Sequence, residues 1–231
     1  TGTTGTNGGS FALTLDNSTL DSEVQATNNI TVTLAASGGF TGTVALTAAN
    51  LPTGVTAAFT PASVDLSSGS GTSTLALTVP STTIPSETAT MITINGDGGS
   101  GTTANAPFAL TVKRAITIVI PANVEATPNA FGTSPITVHL GTGATISASN
   151  PFIVNVKNLD TSKADGHEVH SSNTGSGFFH GTANIMPNQT NGSDGPRTVT
   201  AAATFPFYCH GETDSNGNAN KPANSLVIAI P

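Results

Sequence analysis

Short apolar runs alternating with threonine, cut apart by turns rich in Gly and Pro, recur along this 231-residue chain. In Ile30-Thr31-Val32-Thr33-Leu34, and again in Leu75-Ala76-Leu77-Thr78-Val79, every second side chain is apolar. That period of two sends one face of a strand to a core and the other to water. No window sustains an apolar period near 3.6, so no long helix is expected. The β-branched content points the same way, and the chain reads as all-β. From Ser10 to Lys113 roughly seven strand-like runs are separated by turns at Gly38-Gly39, Leu51 to Gly54, Ser67 to Gly71 and Asp97 to Gly101. Near-regular spacing of short strands predicts a β-sandwich.

Hydrophobic residues make up 36% of the chain and charged residues only 8%. Such a sequence is no disordered polyelectrolyte. The formal net charge is -7, with six Lys and Arg spread thinly. No basic patch forms to neutralise phosphates, which excludes nucleic acid as a partner. No run approaches the roughly 18 apolar residues of a membrane span. The opening TGTTGTNGGS reads as a flexible lead over residues 1–9. The Thr- and Ser-rich, Lys-poor composition suits an extracellular, periplasmic or cell-surface protein. No leader stands at Thr1, so export implies a processed chain.

The segments Phe40-Thr41-Gly42-Thr43-Val44, Asn50-Leu51-Pro52-Thr53-Gly54-Val55-Thr56-Ala57-Ala58-Phe59 and Pro61-Ala62-Ser63-Val64 resemble the bacterial immunoglobulin-like modules appended to many exported proteins. The resemblance covers about the first 113 residues. It implies an immunoglobulin-like sandwich at 10–113 with a role in spacing, display or self-association. Fold alone assigns no activity.

Lys113-Arg114 marks a boundary, and a second strand series runs over 114–231. All five histidines and the one cysteine, Cys209, lie in it. A single cysteine permits no internal disulfide and needs another explanation, such as a ligand. Three segments carry the chemistry: His167-Glu168-Val169-His170, Phe178-Phe179-His180-Gly181 and Phe207-Tyr208-Cys209-His210-Gly211-Glu212. Thiolate with imidazole is a donor set for copper or zinc. The spacing is that of neither a zinc finger nor a zincin.

Phe152 to Asp160 followed by His167, with the Phe207-Tyr208-Cys209 strand end and Leu226-Val227-Ile228, resembles the cupredoxin family of plastocyanin and azurin type. The resemblance implies a Greek-key sandwich, copper, electron transfer with a redox partner protein, and ligands ranked Cys209, His180, His170, His167, His210. In that family a histidine follows the cysteine by a few residues and a methionine comes soon after. Here His210 is adjacent, and nothing from Gly211 to Pro231 is His or Met. Neighbours on a strand point to opposite faces, so Cys209 and His210 share an ion only if the chain bends there. Glu212 or Met186 is left as a further donor. His139 reads as an outward strand residue.

Cys209-His210 is also the back half of a c-type haem attachment motif, which leaves a haem held by a single cysteine as the alternative cofactor. A metal-free sandwich and a Cys/His catalytic dyad oriented by Asp160, Asp165 or Glu168 stay open. No oxyanion motif precedes the cysteine, and the expectation is no enzyme. The rival function is structural: a subunit of a surface filament or array, self-associating through sheet edges, with the site a staple or absent.

Overall fold

A computed structural model describes residues 8–132, 134–140, 144–170, 184–209 and 224–229. The expected flexible lead lies mostly outside the described residues. The chain divides into two compact units, Thr1–Lys113 and Arg114–Pro231. Both are all-β sandwiches, with no α-helix among the described residues.

The first unit has nine strands: β1 (Ser10–Leu15), β2 (Thr19–Glu23), β3 (Thr27–Ser37), β4 (Thr43–Ala49), β5 (Thr56–Thr60), β6 (Ser63–Asp65), β7 (Ser70–Thr78), β8 (Thr90–Asp97) and β9 (Thr103–Lys113). One sheet runs β1-β3-β7-β5 and the other β2-β9-β8-β4-β6. All pairings are antiparallel except β2 with β9. This is the immunoglobulin-like arrangement of two facing sheets. The chain changes sheet at every connection from β1 to β8, among them the cis Thr60-Pro61 peptide between β5 and β6, whose proline carbonyl accepts the Ser73 hydroxyl at 2.7 Å.

Alternation decides the core. Ile30, Val32, Leu34, Leu75 and Leu77 of one sheet and Ile92, Ile94, Phe108, Leu110 and Val112 of the other are buried. Each such side chain contributes about 1.5–3 kcal/mol relative to exposure. The outer face of the four-stranded sheet is solvated by hydroxyls instead of charges. Register lines threonines up across strands: Thr14 with Thr33 and Thr72, Thr31 with Thr74 and Thr60, and Thr27 with Thr78 and Thr56. The Thr27 and Thr78 hydroxyls meet at 3.0 Å. Such cross-strand pairs add about 0.2–1 kcal/mol each.

One end of this core is aromatic. Phe11 and Phe40 lie with ring centroids 5.3 Å apart. They fit because Gly96 and Gly98 carry no side chain. A Cβ at Gly98 would stand 2.7 Å from Cζ of Phe40 and 3.0 Å from Cε1 of Phe11.

The second unit has seven strands among the described residues: β10 (Ala115–Ile120), β11 (Ile136–His139), β12 (Phe152–Asn158), β13 (Val169–His170), β14 (Arg197–Val199), β15 (Ala203–Cys209) and β16 (Asn224–Ala229). One sheet runs β10-β12-β14 and the other β11-β16-β15-β13. The pairs β10/β12 and β11/β16 are parallel; the chain alternates between the sheets from β10 to β15, and β15 and β16 then pair as antiparallel neighbours in one sheet. Ile116, Ile118, Ile120, Phe152, Val154, Phe207, Leu226 and Ile228 fill the core. Phe131 meets Phe207 edge-on with centroids 5.1 Å apart.

The packing around Gly98 yields a first prediction. Gly98→Ala loses about 1–3 kcal/mol in denaturant unfolding, because backbone and buried rings must shift to admit a methyl group. Gly8→Ala, where nothing lies within 4 Å of the added Cβ, changes stability by less than about 0.5 kcal/mol.

Candidate functional site

In the second unit, β12 ends at Asn158 and the chain turns through a buried polar knot. Asn158 and Asp160 are both fully buried. The Asp160 N–H donates to Oδ1 of Asn158 at 2.8 Å, and Asn158 Nδ2 donates to the Ile185 carbonyl at 2.7 Å. The Asp160 carboxylate then accepts from three directions. Ser162 N–H reaches Oδ1 at 2.8 Å, Val124 N–H reaches Oδ2 at 3.3 Å, and His167 Nε2 lies 3.0 Å from Oδ2. Burial alone acts to raise the pKa of Asp160. The hydrogen bonds from Ser162, from the backbone at Asn123 and from His167 outweigh it and hold the group well below its ordinary value.

Gly166 sets His167 in place. Its φ is 76°, and a Cβ there would stand 2.5 Å from the Ile185 carbonyl oxygen. The close approach lets His167 and Ile185 exchange backbone hydrogen bonds at 3.2 and 2.8 Å. An ionised carboxylate only accepts, so His167 donates through Nε2, and in a neutral ring the lone pair is then on Nδ1. Nδ1 is buried and has no hydrogen-bond partner among the described residues. It faces Oε1 of Glu125 at 3.8 Å, and the same oxygen accepts from Lys163 Nζ at 3.0 Å. The hydrogen bond to Glu125 is the main reason the Lys163 pKa is raised. Burial opposes it, and the charges of Glu125, Asp165 and Cys209 add to it.

The remaining donors divide between two sides of one ladder. Val169 pairs with Cys209, and His170 with Tyr208. Directly opposed residues share a face and neighbours alternate, so Cys209 stands with Val169 on one side and His170 on the other. Cys209 is buried. His170 Nε2 lies 2.9 Å from Glu168 Oε2. His139 is exposed on β11, and Met186 is 38% exposed. His180, His210 and Glu212 lie outside the described residues.

Among the described residues no three His, Cys, Asp or Glu side chains gather to hold a metal ion. Asp160 and Glu125 face different ring nitrogens of His167, so they cannot share an ion with it. By themselves, therefore, these residues do not make a copper site. One of them, His167, has one ring nitrogen held by a buried carboxylate. A histidine that gives its other N–H to a carboxylate is how metal-ligating imidazoles are held. Sequence reasoning placed Asp160 near a histidine only as a possible orienting group. It missed Glu125 and Lys163, which no motif announces.

No protein-family model and no curated protein sequence matches this chain. Some solved structures do. Domains 4 and 5 of the S-layer protein SbsC are 20% identical over 43% of this chain and 50% of theirs, with a TM-score of 0.30. A structure of SbsC domains 4-9 is 14% identical over 95% of this chain and 31% of its own, with a TM-score of 0.31. BcpA, the major pilin subunit of Bacillus cereus, is 8% identical over 96% and 69% of the two chains, with a TM-score of 0.33. This chain spans half the length of the first of these and under a third of the second.

Asp160 gives a prediction with a definite sign. Its folded pKa lies below the ordinary value of 3.8. Its stabilisation is therefore complete above that value and is lost as pH falls through the folded pKa. Asp160→Asn costs about 2–4 kcal/mol at neutral pH. The variant also shows a flatter fall in stability below about pH 4 than the parent chain. Urea unfolding from pH 3 to pH 7 checks both.

Proposed function

We propose that this chain is a structural subunit of an extracellular surface assembly, built to associate through its first unit. The observation that carries the reading is where the charge lies. Residues 1–113 hold Asp16, Asp21, Glu23, Asp65, Glu87 and Asp97 against Lys113 as the one base. None of these stands in β1, β3, β5 or β7, so the four-stranded sheet has no ionisable side chain at all. Soluble sandwiches ordinarily guard their sheets with charge, most of all at the edges. Leaving one whole sheet neutral on an otherwise acidic unit favours contact there and repulsion elsewhere. Threonine hydroxyls keep that face wet in the free chain and offer hydrogen bonds to a partner.

A second reading concerns the other unit. The buried, unpartnered Nδ1 of His167 supports a cupredoxin-like metal site. There His167 would be one donor, Cys209, His180, His170 and His210 the other candidates that the resemblance implies, and Asp160 the group that orients the ring. Copper bound there would supply a one-electron couple. The chain's own part is to fix the tautomer of His167 and keep its lone pair out of water. The haem alternative draws on Cys209 and His210. The structural and metal readings are compatible, since each subunit of an assembly can carry a centre.

Salt separates the structural reading from a monomeric one. Screening relieves repulsion between chains of charge -7 while leaving a neutral contact untouched. Light scattering and negative-stain microscopy should show polymers whose abundance rises between about 0.02 and 0.5 M NaCl. A monomer at every salt and at millimolar protein would end the reading. For the second reading, Cu(II) titration should give a thiolate-to-copper absorption band that Cys209→Ser abolishes and His167→Ala shifts or weakens. An unchanged spectrum in Cys209→Ser rules it out.

A further inference from the structure

The edges of the neutral sheet carry the argument further. The five-stranded sheet ends in β2, with Asp21 and Glu23, and in β6, with Asp65. Those carboxylates repel a like edge and guard against pairing. The four-stranded sheet ends in β1 (SFALTL) and β5 (TAAFT), and neither has a charge. A strand at a sheet edge leaves half its N–H and C=O groups facing outward, and among the described residues no second strand pairs with β1 or with β5. The β5 edge is also a strand short of covering its core. Phe59 and Ala57 lie opposite the fully buried Leu75 and Leu77 of β7, on the same inner face, yet both are only half-buried.

Direction decides how copies fit. β1 is antiparallel to β3, β3 to β7, and β7 to β5. After three reversals β5 runs opposite to β1. A second copy in the same orientation thus presents its β1 antiparallel to the first copy's β5, and the ladder continues without a change of sense. We propose that β5 of one chain pairs with β1 of the next, head to tail. Each added chain then extends a continuous antiparallel sheet by four strands, or about 19 Å. The contact is heterologous, so it does not close on itself as a two-fold pair does, and it generates an open filament. The incoming strand covers Phe59. This inference rests on the structural reading above and names the contact that reading leaves open.

Crosslinking decides between contacts. Ala12 in β1 and Ala58 in β5 both face outward and are exposed. Ala12→Cys and Ala58→Cys chains, assembled separately or mixed, are treated with a short bismaleimide, with the parent chain as control for Cys209. Head-to-tail pairing gives a crosslinked dimer in the mixture at least fivefold above either variant alone. A dimer from Ala58→Cys alone, at the mixture's level, shows a two-fold contact and overturns the proposal while the structural reading survives. A second test uses lysine. Ala58→Lys and Ala12→Lys should each reduce polymer at least tenfold, whereas Thr33→Lys on the inner strand β3, exposed on the outer face, should have little effect. If Thr33→Lys abolishes polymer and the edge variants do not, the chains stack face to face and the edge contact is wrong. If the parent chain forms no polymer, both the contact and the structural reading fail.

Discussion

A two-sheet sandwich can bury its inner faces completely, but it cannot finish its own edges. That constraint governs the first unit. The strand order β1-β3-β7-β5 leaves two outer strands whose backbone groups have no partner within the sheet. Elsewhere in the unit the chain meets the constraint with carboxylates, on β2 and β6. On the four-stranded sheet it uses threonine rows, which solvate the face without repelling a neighbour. Two sheets of one sandwich thus solve the same problem with different chemistry. The difference cannot arise from the needs of the core, since both inner faces are equally apolar.

The second unit turns on a different interaction, the buried carboxylate of Asp160. Its acceptors tie together the backbone at Val124, the turn at Ser162 and the ring of His167. Removing a charge from water is costly, and only several charge-assisted hydrogen bonds make it tolerable. The same bonds that make the carboxylate tolerable fix the imidazole. A ring fixed through Nε2 has its chemistry at Nδ1, and Nδ1 faces Glu125 within a short, partly buried ion pair to Lys163. The knot therefore fixes which ring nitrogen of His167 is left for other contacts. Whatever meets that nitrogen must compete with or replace the carboxylate of Glu125.

Much of the architecture was legible in the sequence, because the period of two survives wherever a strand has one wet face. Ile30 to Leu34 and Leu75 to Val79 are the clearest cases, and the all-β class followed from such runs. What was not legible has physical reasons. β2, Thr19–Glu23, mixes one leucine with acids and serine, since it is an edge strand with little to bury. The run GVTAAFTPASVDL reads as one strand but is two, because Pro61 carries the chain from one sheet to the other. HEVHSS reads as a strand, yet among its described residues only Val169–His170 pair in one, for His167 is drawn off to a bridge with Ile185. In the site, the histidine cluster was visible as composition. Its division across a ladder was not, because register depends on which strand lies opposite, and sequence alone does not name the partner.

The two units thus divide their polar residues by kind. The first has no histidine or cysteine and spends its few charges away from one sheet; the second gathers every imidazole and the thiol. A lysine at a sheet edge costs little in folding and is the ordinary guard against association. On the structural reading proposed above, the edges without one are the edges left open for use. In the second unit a buried carboxylate stands where an apolar residue would pack more cheaply, and what it does there is hold one imidazole in one tautomer and one orientation.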